Sequence, residues 1–235
     1  CETIWIVAND DTTPLIRHRL GDYIQDPIWI GRKGRFPSQE RRPIPIFYVP
    51  SDKKHDNKNH CISWAILHGA KTAYDISNDL SKWFAPDRFY VSFCHGVYPP
   101  RGLRPSRREI SKNINFAVTF RDKSFATNNL LGFTFNIEQM NQAINLFKST
   151  EKSLLWREEL ENEKEYYEEN FTLDKVFSHV ILYTDERLEV PWFHQIDGWE
   201  NYCQFLASPE KSEMRHPGKL IISYREFNPL GEDNE

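Results

Sequence analysis

From Ile62 to Trp83 the apolar residues Ile62, Ala65, Ile66, Ala70, Ala73, Ile76, Leu80 and Trp83 recur at spacings of three or four. That period gathers them on one side of an α-helix, and a helix with one apolar side must be covered by something else in the fold. Asn57 or Asn59 stands where a side chain could take the first unpaired amides, and Pro86 ends the run. TAYDISND offers a second capping position, so a break near 75–78 is expected.

The segments around this helix are short and follow a different period. IWIVAND (4–10) alternates bulky residues and closes on an Asn-Asp-Asp turn signal, which predicts a strand with PLIRHRL as its hairpin partner. DPIWIGRKGRF reads as a strand running into a basic loop. RRPIPIFYVP (41–50) is β-like, with Pro43 and Pro45 confining its start to an edge. RFYVSF (88–93), NINFAVTFR (113–121), NLLGFTF (129–135), KVFSHVILYTD and KLIISYREF (219–227) read as further strands. Asn136 is placed to cap a helix over IEQMNQAINLF. EKSLLWREELENEKEYYEENF has helix formers but few apolar anchors, which predicts a mostly solvated helix, and IDGWENYCQFL a short one.

Eight or nine strands and about four helices, interspersed without strict alternation, point to an α+β fold. Its sheet should be mixed and largely antiparallel, in a single domain over 1–235 with a minor seam near 148–152. Aromatics make up 14% of the chain, enough large side chains to build a core without metal or disulfide. No run approaches 18 consecutive apolar residues, so no membrane partner is expected.

Cys1, Cys61, Cys94 and Cys203 match neither a disulfide scaffold nor a CxxC metal site. Free thiols suit a reducing compartment, so an intracellular location, cytoplasmic or nuclear, is expected. The ten glycines form no phosphate loop or dinucleotide fingerprint, and no cofactor is expected. His60-Cys61 and Cys94-His95 could together offer four zinc ligands. Neighbours on a strand point to opposite faces, however, so no metal site is expected.

Charge is the most specific surface signal. The net charge is −4, but residues 1–122 carry 19 Lys+Arg against 13 Asp+Glu, and residues 123–235 carry 11 against 21. YPPRGLRPSRREISK puts Arg101, Arg104, Arg107, Arg108 and Lys112 within twelve positions, stiffened by Pro99, Pro100 and Pro105. Arg32, Lys33, Arg35, Arg41 and Arg42 form a second cluster, with Phe36 nearby. Guanidinium forks suit phosphates and carboxylates, and basic side chains interleaved with aromatics suit single-stranded nucleic acid. A non-enzymatic binding module for an anionic partner, nucleic acid or an acidic protein, is the leading expectation. Pairing with the acidic half of the same chain would use up the same charges.

Two thiol chemistries compete with it. Cys61 is expected one or two residues inside a helix start capped by Asn57 or Asn59, where exposed amides and the helix dipole stabilise a thiolate. A papain-like hydrolase would need His179, read as lying on the strand FSHVILY, with Asp197 or Asp185 to orient it. The alternative is an N-terminal nucleophile, with a free amine on Cys1 as base. The segment IVANDDTTPLIRHRLGDY resembles the start of the choloylglycine hydrolase and acid ceramidase group. There a first cysteine heads a strand and a later strand carries an Arg-x-x-Asp pair. The resemblance covers about 22 residues, implies roles for Arg19 and Asp22 in holding a carbonyl or carboxylate and steadying the amine, and lacks that group's later asparagine and arginine motifs. A third possibility is a structural, self-assembling protein built on aromatic strands.

Overall fold

The computed structural model describes residues 3–8, 12–20, 46–49, 61–80, 86–93, 95–99, 115–120, 130–154, 163–182 and 186–214. They fall into two compact units interleaved along the chain. The first takes β1 (Ile4–Val7), α1 (Thr13–Leu20), β2 (Ile46–Val49), α2 (Ile62–Leu80) and β3 (Arg88–Ser92) as far as Val91. It continues with the end of β6 (Leu130–Asn136) from Thr134, then α3 (Ile137–Leu154), α4 (Glu163–Asn170) and α5 (Leu173–Leu182). The second takes β4 (Gly96–Val97), β5 (Phe116–Thr119), the start of β6, β7 (Glu186–Glu189), β8 (His194–Gln195), α6 (Trp199–Ala207) and α7 (Lys211–Met214). Residues 148–152, where a seam was expected, lie inside α3.

Helices and mixed sheets make this an α+β fold. β1 and β2 pair in parallel, in register from Ile4↔Ile46 to Val7↔Val49. Four strands are ordered β3-β6-β5-β7, with β5 antiparallel to β6 and parallel to β7. β4 and β8 form an antiparallel ribbon.

The expected hairpin partner of β1 is instead a helix. Thr12 stands at its start, where its carbonyl accepts the Ile16 N–H at 3.1 Å, and Pro14 sits in the first turn, where its missing N–H costs nothing. The partner of β1 is β2, about forty residues on, which buries Phe47 and Val49. α2 packs on β1 at Gly69, where a Cβ would overlap Val7 Cγ2.

The buried side of α2 is Ser63, Leu67, Ala70, Ala73 and Ser77, and Ile62 is exposed. The side is rotated from the expected stripe because two serines belong to it. Ser77 fits by donating its hydroxyl to the Ala73 carbonyl at 2.6 Å.

β6 passes into α3 without an intervening residue. Asn136 Oδ1 accepts the Gln139 N–H and Gln139 Oε1 accepts the Asn136 N–H, each at 2.9 Å, so the two side chains cap the helix start reciprocally. The cap expected at Asn136 is thus present, and Met140, Ala143 and Phe147 form the buried side of the helix.

The strand expected over KVFSHVIL is the helix α5. Thr172 begins it, with its carbonyl taking the Val176 N–H at 3.1 Å, and the buried residues Val176, Phe177, Val180 and Ile181 have helical spacing. In the described part of the acidic segment, α4 buries Tyr167 and exposes Glu165, Glu168 and Glu169, as a mostly solvated helix should.

Aromatic rings fill the first unit. Phe147 and Phe171 stack with centroids 4.0 Å apart, Trp64 meets Phe147 edge-on at 5.3 Å, and Phe135 packs on both Phe89 and Phe177. The second unit has a smaller centre of Val118, Leu131 and Val190. Tyr98, Phe116, Phe120, Leu188 and Phe193 pack against it. The segments 219–227 and DPIWIGRKGRF, expected as strands, lie outside the described residues.

Candidate functional site

Cys61 sits at the N-cap of α2 rather than inside the helix, with its carbonyl accepting the Ala65 N–H at 3.1 Å. Cys61 is only 4% exposed, and its thiol donates its proton to the Phe171 carbonyl at 3.0 Å. Burial is the largest influence on this thiol and raises its pKa. Hydrogen bonds from the Ser63 and Trp64 backbone amides work the other way and lose, and the Glu168 charge adds to the rise. The helix start supplies the amides that would favour a thiolate, but the dry surroundings keep the thiol protonated.

His179 belongs to α5, in the same unit. Its Nε2 is buried and makes no hydrogen bond among the described residues, to Cys61 or to any other group. Asp197 belongs to the second unit, where its two carboxylate oxygens accept from Gln195 Nε2 at 3.0 Å and Asn201 Nδ2 at 2.7 Å. Cys61 and His179 share the first unit and Asp197 belongs to the second, and among the described residues no hydrogen bond joins Cys61 Sγ to His179 Nε2. Arg19 lies on α1, a helix, where the N-terminal nucleophile resemblance requires a strand. Cys1, Asp22 and Asp185 lie outside the described residues, as do His60 and Cys94. Among the described residues no three of His, Cys, Asp and Glu gather as metal ligands.

The five cations from Arg101 to Lys112, and Arg32, Lys33, Arg35, Arg41 and Arg42, also lie outside the described residues. The residues that bracket the first cluster do not. On its N-terminal side β4 pairs Val97 with His194, Tyr98 packs on the Val118–Leu131–Val190 centre and takes a 2.8 Å hydroxyl hydrogen bond with Ser92, and Pro99 is buried. On its C-terminal side β5 begins at Phe116, packed on the same centre.

The ribbon of β4 and β8 carries a run of rings. Gly96 is required there, because a Cβ would overlap the Phe193 ring and stand 2.7 Å from the His194 carbonyl oxygen. Phe193 meets His95 and Phe120 at 5.6 and 5.9 Å, and His194 lies against Trp192 and Phe205. His194 Nε2 approaches Glu210 Oε2 at 3.5 Å. Glu210 has its pKa lowered, first by a hydrogen bond from its own backbone amide and then by Ser208 and His194.

The chain then enters α6 through Gly198, whose carbonyl accepts the Tyr202 N–H at 3.1 Å. Trp199 is 76% exposed and Tyr202 38% exposed, and their rings lie 5.6 Å apart at 43°. Sequence reasoning found this helix but not its open rings. The signal was present: Trp199, Tyr202, Cys203 and Leu206 have helical spacing, yet the buried residue of α6 is Phe205.

Among the described residues no helix is long and apolar enough to cross a membrane. The chain matches no family model, no curated protein and no solved structure.

Proposed function

We propose that the chain is a non-enzymatic binding module that takes an anionic partner, nucleic acid foremost, through Arg101, Arg104, Arg107, Arg108 and Lys112, with the 32–42 cluster contributing. The observation that carries this reading is five cations and two prolines, Pro100 and Pro105, between two anchored ends. Tyr98 and Pro99 before the segment, and Phe116 after it, are packed into the second unit. Anchored ends and internal prolines lower the ordering cost of presenting guanidinium groups to a phosphate chain. The Cys61 hydrolase alternative has less support, since the Cys61 proton rests on a carbonyl and the thiol is buried.

The test is binding of a fluorescent single-stranded oligonucleotide at several salt concentrations. Affinity should fall steeply with salt, at about 0.7 in logarithmic slope per phosphate neutralised, and Arg104/Arg107/Arg108→Ala should flatten the slope by about 2. No binding at low salt sinks the proposal. Polyglutamate bound as tightly as the oligonucleotide would make the partner an acidic protein.

A further inference from the structure

We propose that α6 is a docking face for a basic segment of a partner protein, whose arginine or lysine side chains lie against Trp199 and Tyr202 with Asp197 and Glu200 supplying the countercharge. The inference is independent of the anion-binding reading and concerns different residues.

Trp199, Tyr202, Cys203 and Leu206 form the apolar stripe that normally anchors a helix to its core. Here the helix is anchored elsewhere, by Phe205, which is buried and packs on His194 at 5.3 Å. Trp199, Tyr202 and Cys203 are exposed and Leu206 is half-buried. A tryptophan at 76% exposure leaves most of a large aromatic surface in water, and among the described residues the ring that meets it is that of Tyr202, tilted by 43°.

Charge selects the occupant. Asp197 and Glu200 stand on either side of Trp199 in the chain, and both are exposed. Asp197 is held in place by two neutral amides, Gln195 and Asn201, which fix its carboxylate without compensating its charge. Aromatic faces carry negative electrostatic potential, so rings and carboxylates attract the same kind of group. The start of α6 contributes about half a positive charge, which two full carboxylates exceed. An anionic ligand would be repelled, and an apolar one would have to desolvate both carboxylates. An arginine can stack on a ring while its remaining N–H groups reach a carboxylate, and tryptophan, tyrosine and arginine are the residues on which protein interfaces most often depend.

The probe is a fluorescein-labelled decapeptide of alternating arginine and glycine, followed by anisotropy at low salt. The expected result is saturable binding that Trp199→Ala/Tyr202→Ala weakens about tenfold or more, while Trp199→Phe/Tyr202→Phe keeps most of it. Asp197→Asn/Glu200→Gln should weaken binding and reduce its salt dependence. The rings and carboxylates are exposed, so these variants should fold, which circular dichroism and urea denaturation check. Absence of binding overturns the proposal. Equal affinity in wild type, Trp199→Ala/Tyr202→Ala and Asp197→Asn/Glu200→Gln also overturns it, by putting the peptide on another acidic surface. A concentration-dependent dimer that Trp199→Ala/Tyr202→Ala dissolves overturns it too, by giving the face to a second copy of the chain.

Discussion

The surroundings of Cys61 and of Trp199 are opposite uses of a helix start. At the start of α2 the thiol is turned inward. The thiol caps the helix and spends its proton on Phe171, and Phe171 itself stacks on Phe147 and lies 5.3 Å from Tyr167. At α6 the cap is a glycine with no side-chain hydrogen bond, and the first helical residue is an exposed tryptophan. A cysteine at a helix start is the more familiar sign of chemistry, yet here it stabilises the fold. The residue available to a partner is the one whose sequence pattern looks like core.

That contrast can be broken most forcefully by truncating one ring from each region. Phe171→Ala should cost about 3–5 kcal/mol in urea denaturation, because a stacked, dry ring leaves a cavity. Trp199→Ala should stay within about 0.5 kcal/mol, as exposed substitutions do. Similar losses for both would mean that Trp199 is part of a core after all.

The glycines give a smaller version of the same comparison. Gly96→Ala has to displace Phe193 and should cost about 1–3 kcal/mol, again read from denaturation midpoints. A Cβ at Gly198 would meet nothing within 4 Å and its φ of −167° is extended backbone, so Gly198→Ala should cost no more than the exchange of a glycine cap for alanine, about 0.5–1 kcal/mol. A large effect at Gly198 would show that α6 is fastened more tightly than Phe205 alone implies.

The thiols provide the subtlest measure. Exposed Cys203 should react with iodoacetamide at pH 7 while Cys61 stays protected, as peptide mass mapping of the alkylated chain would show. The pKa of Cys61 is raised above its ordinary 9.0 by burial. The unfolded chain therefore gives up this proton first as pH rises. The stabilisation from Cys61 is complete below about pH 9 and is lost as pH climbs from there to the folded value. Wild type should lose stability faster above pH 9 than Cys61→Ala, whose slope lacks this proton. Parallel curves would contradict the dry, protonated thiol.

Much of the fold was legible where local signals agreed with tertiary structure. The strands over 88–93 and 129–135, the helix from Ile62 and the Asn136 cap all appear within a few residues of their expected places. Errors arose where composition and spacing disagreed. Val176, Val180 and Ile181 are β-branched, but their spacing is helical, and spacing decides which residues can share a buried side. At α1 the Thr-Thr-Pro start outweighed the expectation that β1 needs a nearby hairpin partner. The true partner, β2, lies too far along the chain for any local pattern to announce it. On α6 periodicity identified an apolar stripe but could not say whether the stripe meets this chain or another.

The junction of β6 with α3 has a mechanical consequence. No residue intervenes between strand and helix, and Asn136 and Gln139 clasp each other across the join. A strand inverts its faces with each residue of shift, whereas a helix turns by about 100°. One inserted residue at 136/137 therefore could not be absorbed as slack. It would put the side on which Phe135 meets Phe89 out of phase with the angle at which Met140 and Phe147 are presented. The join works as a keyed shaft, in which the pairing of a strand sets the rotation of a helix and evolution can lengthen either member only at its far end.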